Sequence, residues 1–587
     1  MPTNVKENSF ESSIVSWLVQ HNGYEQGSNA DYNKEIAMDE TRLFRFLNTT
    51  QADKMKQLRL ENDPLEKEKF LQRLDQSLHT NGVIDLLRKG FRYKHLVLDV
   101  FYVRPSPGNE TAAKLYAQNI FSVTRQLQYS RQNPLLALDV CLFLNGLPIV
   151  TMELKNQLTK QNAADAVKQY KDERTPDEVL FSFKRCIVHF AVDDNEVRMC
   201  TELKGQKSWF LPFNKGYNDG AGNPPNPDGM KTDYLWKEIL RKDDFSNIIE
   251  NYVQIICDED EETHKKSYKQ IFPRYHQLQL VTSLLADAKR DGVGKRYLIQ
   301  HSAGSGKSNS IAWLAHQLVT LKDATDHNTF DTVIVVTDRV NLDKQIRNTI
   351  RQFMQVSSTV GWAKDSSELG TLLEKGTKII ITIVHKFQFI LEDISKLHTN
   401  RNFAILIDEA HSSQNGDLST KMNIVLSGSE YDNDDLLEDK INTLIDGKKL
   451  AKNASYFAFT ATPKNKTLEV FGREEIQPDG SKRFFPHYVY TMKQAIEEHF
   501  IMDVLRYYTP IQSFYKLSKT VEDDPLFDKK KAQRLLRYYV ESNQYAIEQK
   551  AGIIVEHFHT EVIGRGKIGG RARAMVITSG IPRAIEY

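Results

Sequence analysis

Two short segments of the chain hold residue types that together can handle a nucleoside triphosphate. His301-Ser302-Ala303-Gly304-Ser305-Gly306-Lys307-Ser308 sets two glycines ahead of a lysine and a hydroxyl. Glycine tolerates the turns that aim successive N–H groups at phosphate oxygens, so Gly304, Ser305 and Gly306 are expected to form a cradle. Lys307 is expected to reach the β- and γ-phosphates, and the Ser308 hydroxyl to ligate magnesium. Further along, an apolar run delivers Asp408-Glu409-Ala410-His411. Asp408 is expected to hold the magnesium through water, Glu409 to orient or deprotonate the attacking water, and His411 to close the stretch on the nucleotide side. The usual loop pattern begins with glycine, and here His301 holds that place.

A second constellation lies upstream. Asp139, Glu153 and Lys155 fall in two apolar runs around Asn145-Gly146, which reads as a β-hairpin. Side chains alternate along a strand, so Thr151, Glu153 and Lys155 share one face, and Val150, Met152 and Leu154 the other. A two-residue loop pairs Leu144 with Leu147 and sends Asp139 to the face opposite Glu153. An odd-length loop, such as a type I turn with a glycine bulge, puts both carboxylates on one face, and that loop is expected. The carboxylates could then share a magnesium ion, with Lys155 positioning the water that attacks phosphate. The bland alternative is a solvated strand face. Glu11 sits in a predicted helix with Phe10, Ile14, Trp17 and Leu18 at helical spacing, ended by Gly23. It forms a capping box with Asn8, reaches the metal, or does both.

The elements that must position these groups are legible. Arg296–Gln300, Val333–Val336, Ile379–Ile383, Phe403–Ile407 and Tyr456–Thr460 are short apolar runs of strand length. Buried parallel strands read this way, and their carboxyl ends are where ligands bind in open α/β sheets. An uninterrupted helical stretch follows Ser308, and its N-terminus adds positive potential at the phosphates. The expected fold class is α/β and multidomain, with a parallel sheet in the second half.

With Phe272-Pro273-Arg274-Tyr275-His276-Gln277 upstream and Thr460-Ala461-Thr462-Pro463 downstream, this half resembles superfamily 2 helicases and translocases of the DEAH-box type, with a RecA-like sheet. The resemblance implies that Gln277 reads adenine and that Thr460 and Thr462 couple nucleotide state to DNA. The Asp139, Glu153, Lys155 pattern resembles the PD-(D/E)xK nucleases, whose members often bring an acidic residue such as Glu11 from a first helix to the metal. The combination resembles the restriction (motor) subunit of type I restriction-modification enzymes. Gly23-Tyr24, Asn145-Gly146-Leu147-Pro148, Phe210–Asn214 and Gly220–Pro224 carry the likeness further. It implies ATP and magnesium as cofactors, and translocation on and cleavage of unmethylated double-stranded DNA. It also implies assembly with modification and specificity subunits. One departure is visible: relatives carry Gln-x-x-x-Tyr after the nuclease hairpin, and here Tyr170 fits while Ala166 takes the Gln place.

Lys and Arg number 78 against 77 Asp and Glu, a net charge of +1, so DNA binding has to come from local basic strips. Lys529-Lys530-Lys531 with Arg534 and Arg537 is one candidate, and a solvated helix face is its bland reading. The four cysteines, Cys141, Cys186, Cys200 and Cys257, show no metal-ligand spacing. No signal peptide or membrane-length apolar run is present, so a cytoplasmic, membrane-free protein is expected.

The expected domains are an endonuclease domain with linker over 1–260, a first RecA-like domain over 265–470, and a connector with an incomplete second RecA-like domain over 471–587. Asp258–Glu262 reads as the linker, 215–231 as a long loop, and 432–439 as a surface insertion. Connector helices follow Tyr488, and Arg573–Ser579 reads as the first strand of the second domain. The resemblance implies that an arginine from that domain completes the ATPase site. The motif that carries that arginine does not appear before Tyr587, so a fragment that binds ATP weakly and turns it over negligibly alone is expected. Two other functions compete: a stand-alone DNA translocase with an inactive nuclease domain, and a DNA-binding or assembly module.

Overall fold

The computed structural model describes residues 7–105, 108–156, 160–259, 263–302, 304–323, 325–337, 349–350, 360–363, 366–383, 400–408, 452–503, 544–565, 573–578 and 581–587. The chain divides into two compact units, Met1–Asp503 and Val504–Tyr587.

The first unit opens with helix α1 (Glu7–Gln20). Its first large sheet is built from β1 (Phe121–Gln128), β2 (Ala137–Leu144), β3 (Leu147–Leu154), β4 (Val188–Val192) and β5 (Val197–Cys200). They lie side by side in that order, with Glu25–Gln26 and Leu211–Pro212 on the two edges. Only β3 with β4, and Glu25–Gln26 with β1, run parallel. Between β3 and β4 the chain forms α2 (Ala163–Glu173), capped at Asn162. β3 is central and wholly buried. Its Val150, Met152 and Leu154 enter the main core. Its other face meets α2, where Tyr170 and Thr151 hydroxyls lie 2.8 Å apart.

A second hairpin, β6 (Gln254–Glu259) and β7 (Lys266–Ile271), follows. The acidic stretch expected to be a linker is therefore in part a paired strand. Asp258 and Glu259 stand opposite Ser267 and Lys266, whose register the flanking chain dictates. Gln270 ties this hairpin to the first sheet by donating to the carbonyls of Cys186 and Ile187.

The second large sheet is wholly parallel. Its strands are β8 (Arg296–His301), β9 (Thr332–Thr337), β10 (Val360–Trp362), β11 (Ile379–Ile383), β12 (Phe403–Ile407), β13 (Ala454–Thr460) and β14 (Tyr488–Tyr490). Their spatial order is β10-β11-β9-β12-β13-β8-β14. Period-two alternation splits every central strand between two cores. Val333, Val335, Ala404, Leu406, Phe457 and Phe459 face the core that holds α3 (Tyr275–Asp291) and α4 (Lys307–Thr320). Ile334, Val336, Ile405, Ile407, Tyr456 and Ala458 face the other. Both faces are covered, which is why these strands are continuous apolar runs.

The sheet reaches Tyr490, past the expected boundary at 470. Tyr488–Tyr490 is its edge strand, because Ile299, Gln300 and His301 offer it a parallel partner, and the expected helix begins only after it. The helix after it, α5 (Met492–Glu497), stops before Phe500. The two sheets share one core through Phe190, Phe213, Phe272, Tyr234 and Tyr275, with ring centroids 5.1–5.9 Å apart.

In the second unit a helix spans Gln544–His557. Residues 573–578, expected to open a second sheet, are not assigned to a strand, and Met575 and Ile577 are exposed. The segments 432–439 and 529–537 lie outside the described residues.

Candidate functional site

Asp139 and Glu153 do share a face, by a route different from the expected one. The loop is the two-residue Asn145-Gly146 turn, with φ of 51° and 84° and Leu144 paired to Leu147. Glycine is required at 146, where a Cβ would collide with the Asp39 carbonyl. The register then shifts inside the strands. Phe143 pairs with Pro148 but Leu142 pairs with Val150, so Ile149 is an extra residue, a β-bulge. One inserted residue reverses which side chains face which way from there on. Val140 opposes Met152, and that register continued by one step sets Asp139 across from Glu153, whose carboxyl feels its charge.

Each carboxylate is held by one of its oxygens or both. Asp139 Oδ2 accepts from the Leu154 N–H at 2.7 Å, and Oδ1 from Gln126 Nε2 at 3.2 Å. Glu153 Oε1 accepts from Arg174 Nε at 2.6 Å, both side chains being essentially fully buried. Glu153 Oε2 is buried and accepts no hydrogen bond from a described residue, while the Glu153 carboxyl lies within hydrogen-bond reach of the Asp139 carboxylate. Burial, then the charge of Asp139, pushes the Glu153 carboxyl up to about 8, against the pull of Arg174. Two carboxylates side by side, one with an orphaned buried oxygen, fit a divalent cation: such an ion would relieve both the repulsion and the missing partner.

Glu11 is drawn to the same place. Arg125 Nε donates to its Oε1 at 2.6 Å and Gln126 Nε2 to its Oε2 at 2.9 Å. Both oxygens thus face β1. Gln126 bridges Glu11 to Asp139 from a left-handed backbone, φ 46°. That conformation costs roughly 1–3 kcal/mol in a non-glycine residue and gathers at functional sites. Among the described residues no three His, Cys, Asp or Glu side chains come close enough to hold a metal together, so Glu11 stands one residue out from the pair. Lys155 is buried, and its N–H continues the pairing with β4 at Val192.

Arg174, Gln126 and Arg125 were missed in the sequence. Arg174 lies four residues beyond Tyr170, at the non-helical C-cap of α2, whereas the expected Gln position, Ala166, lies four residues before it. That spacing was the available signal.

At the other sheet, the loop between β8 and α4 sits at the carboxyl end of the strands. Gly304 and Gly306 have φ of 74° and 78°. Lys307 Nζ lies 3.8 Å from Asp408 Oδ1, so the cation and the acidic group meet although β12 and β8 are separated by β13. Ser308 is in the first turn of α4. Gln277 is turned to the loop itself: Nε2 donates to the carbonyls of Ser305 and Gly306 at 3.3 and 3.0 Å, and Oε1 accepts from the Arg274 N–H. Arg274 donates to the Gly304 carbonyl at 3.2 Å. His301, in the place of the usual glycine, is buried under the loop with Nδ1 3.3 Å from Ser305 Oγ. Burial, then the charges of Arg274 and Lys307, pushes it down to about 3, so it is neutral. Thr460 is buried at the end of β13, and Thr462 N–H donates to its hydroxyl at 3.3 Å. Glu409 and His411 lie outside the described residues.

Fold and sites together define a protein that joins a mixed-sheet domain with paired carboxylates to a parallel-sheet domain with a glycine-rich loop at the carboxyl end of its strands. Residues 4–208 match the family described as type I restriction enzyme R protein N terminus, and 276–536 match the SWI2/SNF2 ATPase family. The chain therefore carries the N-terminal domain of type I restriction enzyme R proteins followed by a SWI2/SNF2 ATPase domain. It is 26% identical to the type I restriction enzyme HindI endonuclease subunit of Haemophilus influenzae, over 61% of this chain and 33% of that protein. It is 24% identical to a type I restriction enzyme endonuclease subunit of Staphylococcus aureus, over 80% of this chain and 45% of that one. The chain thus spans from a third to just under half the length of these relatives. Among solved structures, a fragment of a putative HsdR subunit of a type I restriction enzyme from Vibrio vulnificus aligns at 15% identity and a TM-score of 0.24. The alignment covers 62% of this chain and 51% of that one. No described helix is long and apolar enough to cross a membrane.

Proposed function

We propose that this chain supplies the motor and endonuclease parts of a type I restriction enzyme subunit. Its activity is ATP-driven translocation on unmethylated double-stranded DNA and magnesium-dependent cleavage of that DNA, in assembly with modification and specificity subunits. The observation that carries the reading is the Asp139–Glu153 pair with its orphaned oxygen, in one compact unit with the Lys307–Asp408 pair.

At the nuclease site, Asp139 and Glu153 are the residues that would hold magnesium. Bound there, the ion supplies Lewis-acid polarisation of the scissile phosphate and lowers the pKa of a water. Lys155, two residues on from Glu153 and on the same side of the strand, orients the attacking water. Gln126 keeps Glu11 and Asp139 in fixed relation. At the motor site, the N–H groups of Gly304 to Gly306 and the α4 N-terminus hold the phosphates, with Lys307 as counter-charge. Asp408 and Ser308 would hold the nucleotide's magnesium, and Glu409 and His411 complete the acidic segment. Gln277 reads adenine once a nucleotide draws its amide from the Ser305 and Gly306 carbonyls, and Thr460 and Thr462 relay nucleotide state to DNA.

The test is cleavage of an unmethylated circular plasmid with ATP and magnesium, using the protein assembled with its modification and specificity subunits. The wild type is expected to cut. Glu153→Ala is expected to consume ATP without cutting, and cutting by that variant would overturn the nuclease assignment.

A further inference from the structure

Arg174 caps the C-terminus of α2 and is only 2% exposed. Its guanidinium is held on three sides. Nε donates to Glu153 Oε1 at 2.6 Å, one terminal nitrogen donates to the Tyr129 hydroxyl at 2.9 Å, and the other to the Ala137 carbonyl at 2.9 Å. The Tyr129 ring lies 5.2 Å below the guanidinium carbon. These partners belong to β3, to the residue after β1 and to the first residue of β2. The plane of the fork is thus set by three strands of the sheet, and the fork in turn sets one oxygen of Glu153. The other oxygen, Oε2, is left buried and accepts no hydrogen bond from a described residue, and the Asp139 carboxylate lies within hydrogen-bond reach of the Glu153 carboxyl.

We infer that Arg174 is a positioning residue of the nuclease site: its fixed fork holds Glu153 by one oxygen so that the other is presented, with Asp139, to a divalent cation. The inference rests on the nuclease reading above. Two roles can be separated by chemistry. A residue that only neutralised Glu153 would be replaceable by lysine, which carries the same charge. A residue that orients Glu153 would not, because an ammonium is a point donor on a flexible stem and cannot hold the Tyr129, Ala137 and Glu153 partners in one plane. Removing such an outer partner of a metal ligand typically weakens metal binding by roughly 10–100-fold.

The experiment is titration of the nucleotide-free 587-residue chain with Mn²⁺, followed by the electron paramagnetic resonance of the free ion. The proteins are wild type, Arg174→Lys, Tyr129→Phe and Asp139→Asn, each checked for folding by circular dichroism. Wild type is expected to bind an ion that Asp139→Asn does not. Arg174→Lys is expected to bind it roughly 10–100-fold more weakly. Tyr129→Phe, which frees one side of the fork and leaves the charge in place, falls between. In the assembled enzyme, Arg174→Lys raises the magnesium needed for half-maximal cleavage more than it lowers the rate at saturating magnesium. Wild-type affinity in both folded variants, Arg174→Lys and Tyr129→Phe, overturns the positioning role and leaves the metal site standing. Equal binding by wild type and Asp139→Asn overturns the nuclease reading itself.

Discussion

The Arg274 guanidinium lies 3.8 Å from the centre of the Phe500 ring, and the same side chain donates to the Gly304 carbonyl. A residue just past α5 therefore holds an arginine against the phosphate loop. Gly304 itself leaves room for this cover, since a Cβ there would lie 2.8 Å from Ile501 Cγ2.

Replacing Phe500 with alanine is expected to loosen that contact and weaken ATP binding. With Phe500 partly exposed, such a cation–π contact contributes about 1 kcal/mol, which converts to roughly fivefold in affinity. A fluorescent nucleotide titration reads it directly. Unchanged affinity would remove Phe500 from the account of the loop.

Gly306→Ala meets two obstacles. Its backbone is left-handed, and the new Cβ would lie 2.5 Å from Gln277 Nε2 and 3.1 Å from an Arg274 nitrogen. The strain should cost about 1–2 kcal/mol and show as a lower melting temperature. ATP binding should be lost, because the N–H groups of the cradle turn away. A variant that binds ATP normally would refute the idea that this turn positions them.

His301 links stability to acid pH. Its folded pKa is about 3, below the 6.5 of an unfolded histidine. The unfolded chain takes up the proton first, so His301 contributes stability above 6.5 that is lost as pH falls from 6.5 toward 3. His276, stacked 3.8 Å from the Tyr490 ring, is pushed the same way by burial and adds to the slope. The melting temperature of His301→Gln should fall less steeply than that of wild type between pH 6.5 and 4. Parallel slopes would count against the buried neutral histidine.

Glu153 works in the opposite sense. Its folded pKa of about 8 lies above the unfolded value, so its protonated form contributes stability below about 4.5 that is lost as pH rises through 8. Metal-free wild type should therefore lose melting temperature from pH 5 to 9 more steeply than Glu153→Gln. Magnesium should restore wild type most at the alkaline end, and a magnesium response equal in Glu153→Gln would place the ion elsewhere.

The parallel-sheet half was largely legible from residue order. The five apolar runs ending near Lys307, Thr337, Ile383, Asp408 and Thr460 are strands of one parallel sheet, because a strand buried on both faces has to be apolar throughout. Local chemistry also marked the tight turn at Asn145-Gly146, where only residues tolerant of positive φ fit. What it could not reveal was the bulge at Ile149. An extra residue in a strand of uniformly apolar side chains leaves no local trace, yet it decides whether Asp139 and Glu153 meet. The roles of Arg174 and Phe500 could not be read for a related reason. Arg174 acts on a carboxylate in a different strand, and Phe500 on an arginine 226 positions earlier in the chain. Residue types and short spacings, which report local backbone preference, were set by the sequence alone. Register, and the pairing of charges across distant strands, emerged only when the sheets closed, since burial supplies the energy that selects one register over its neighbour.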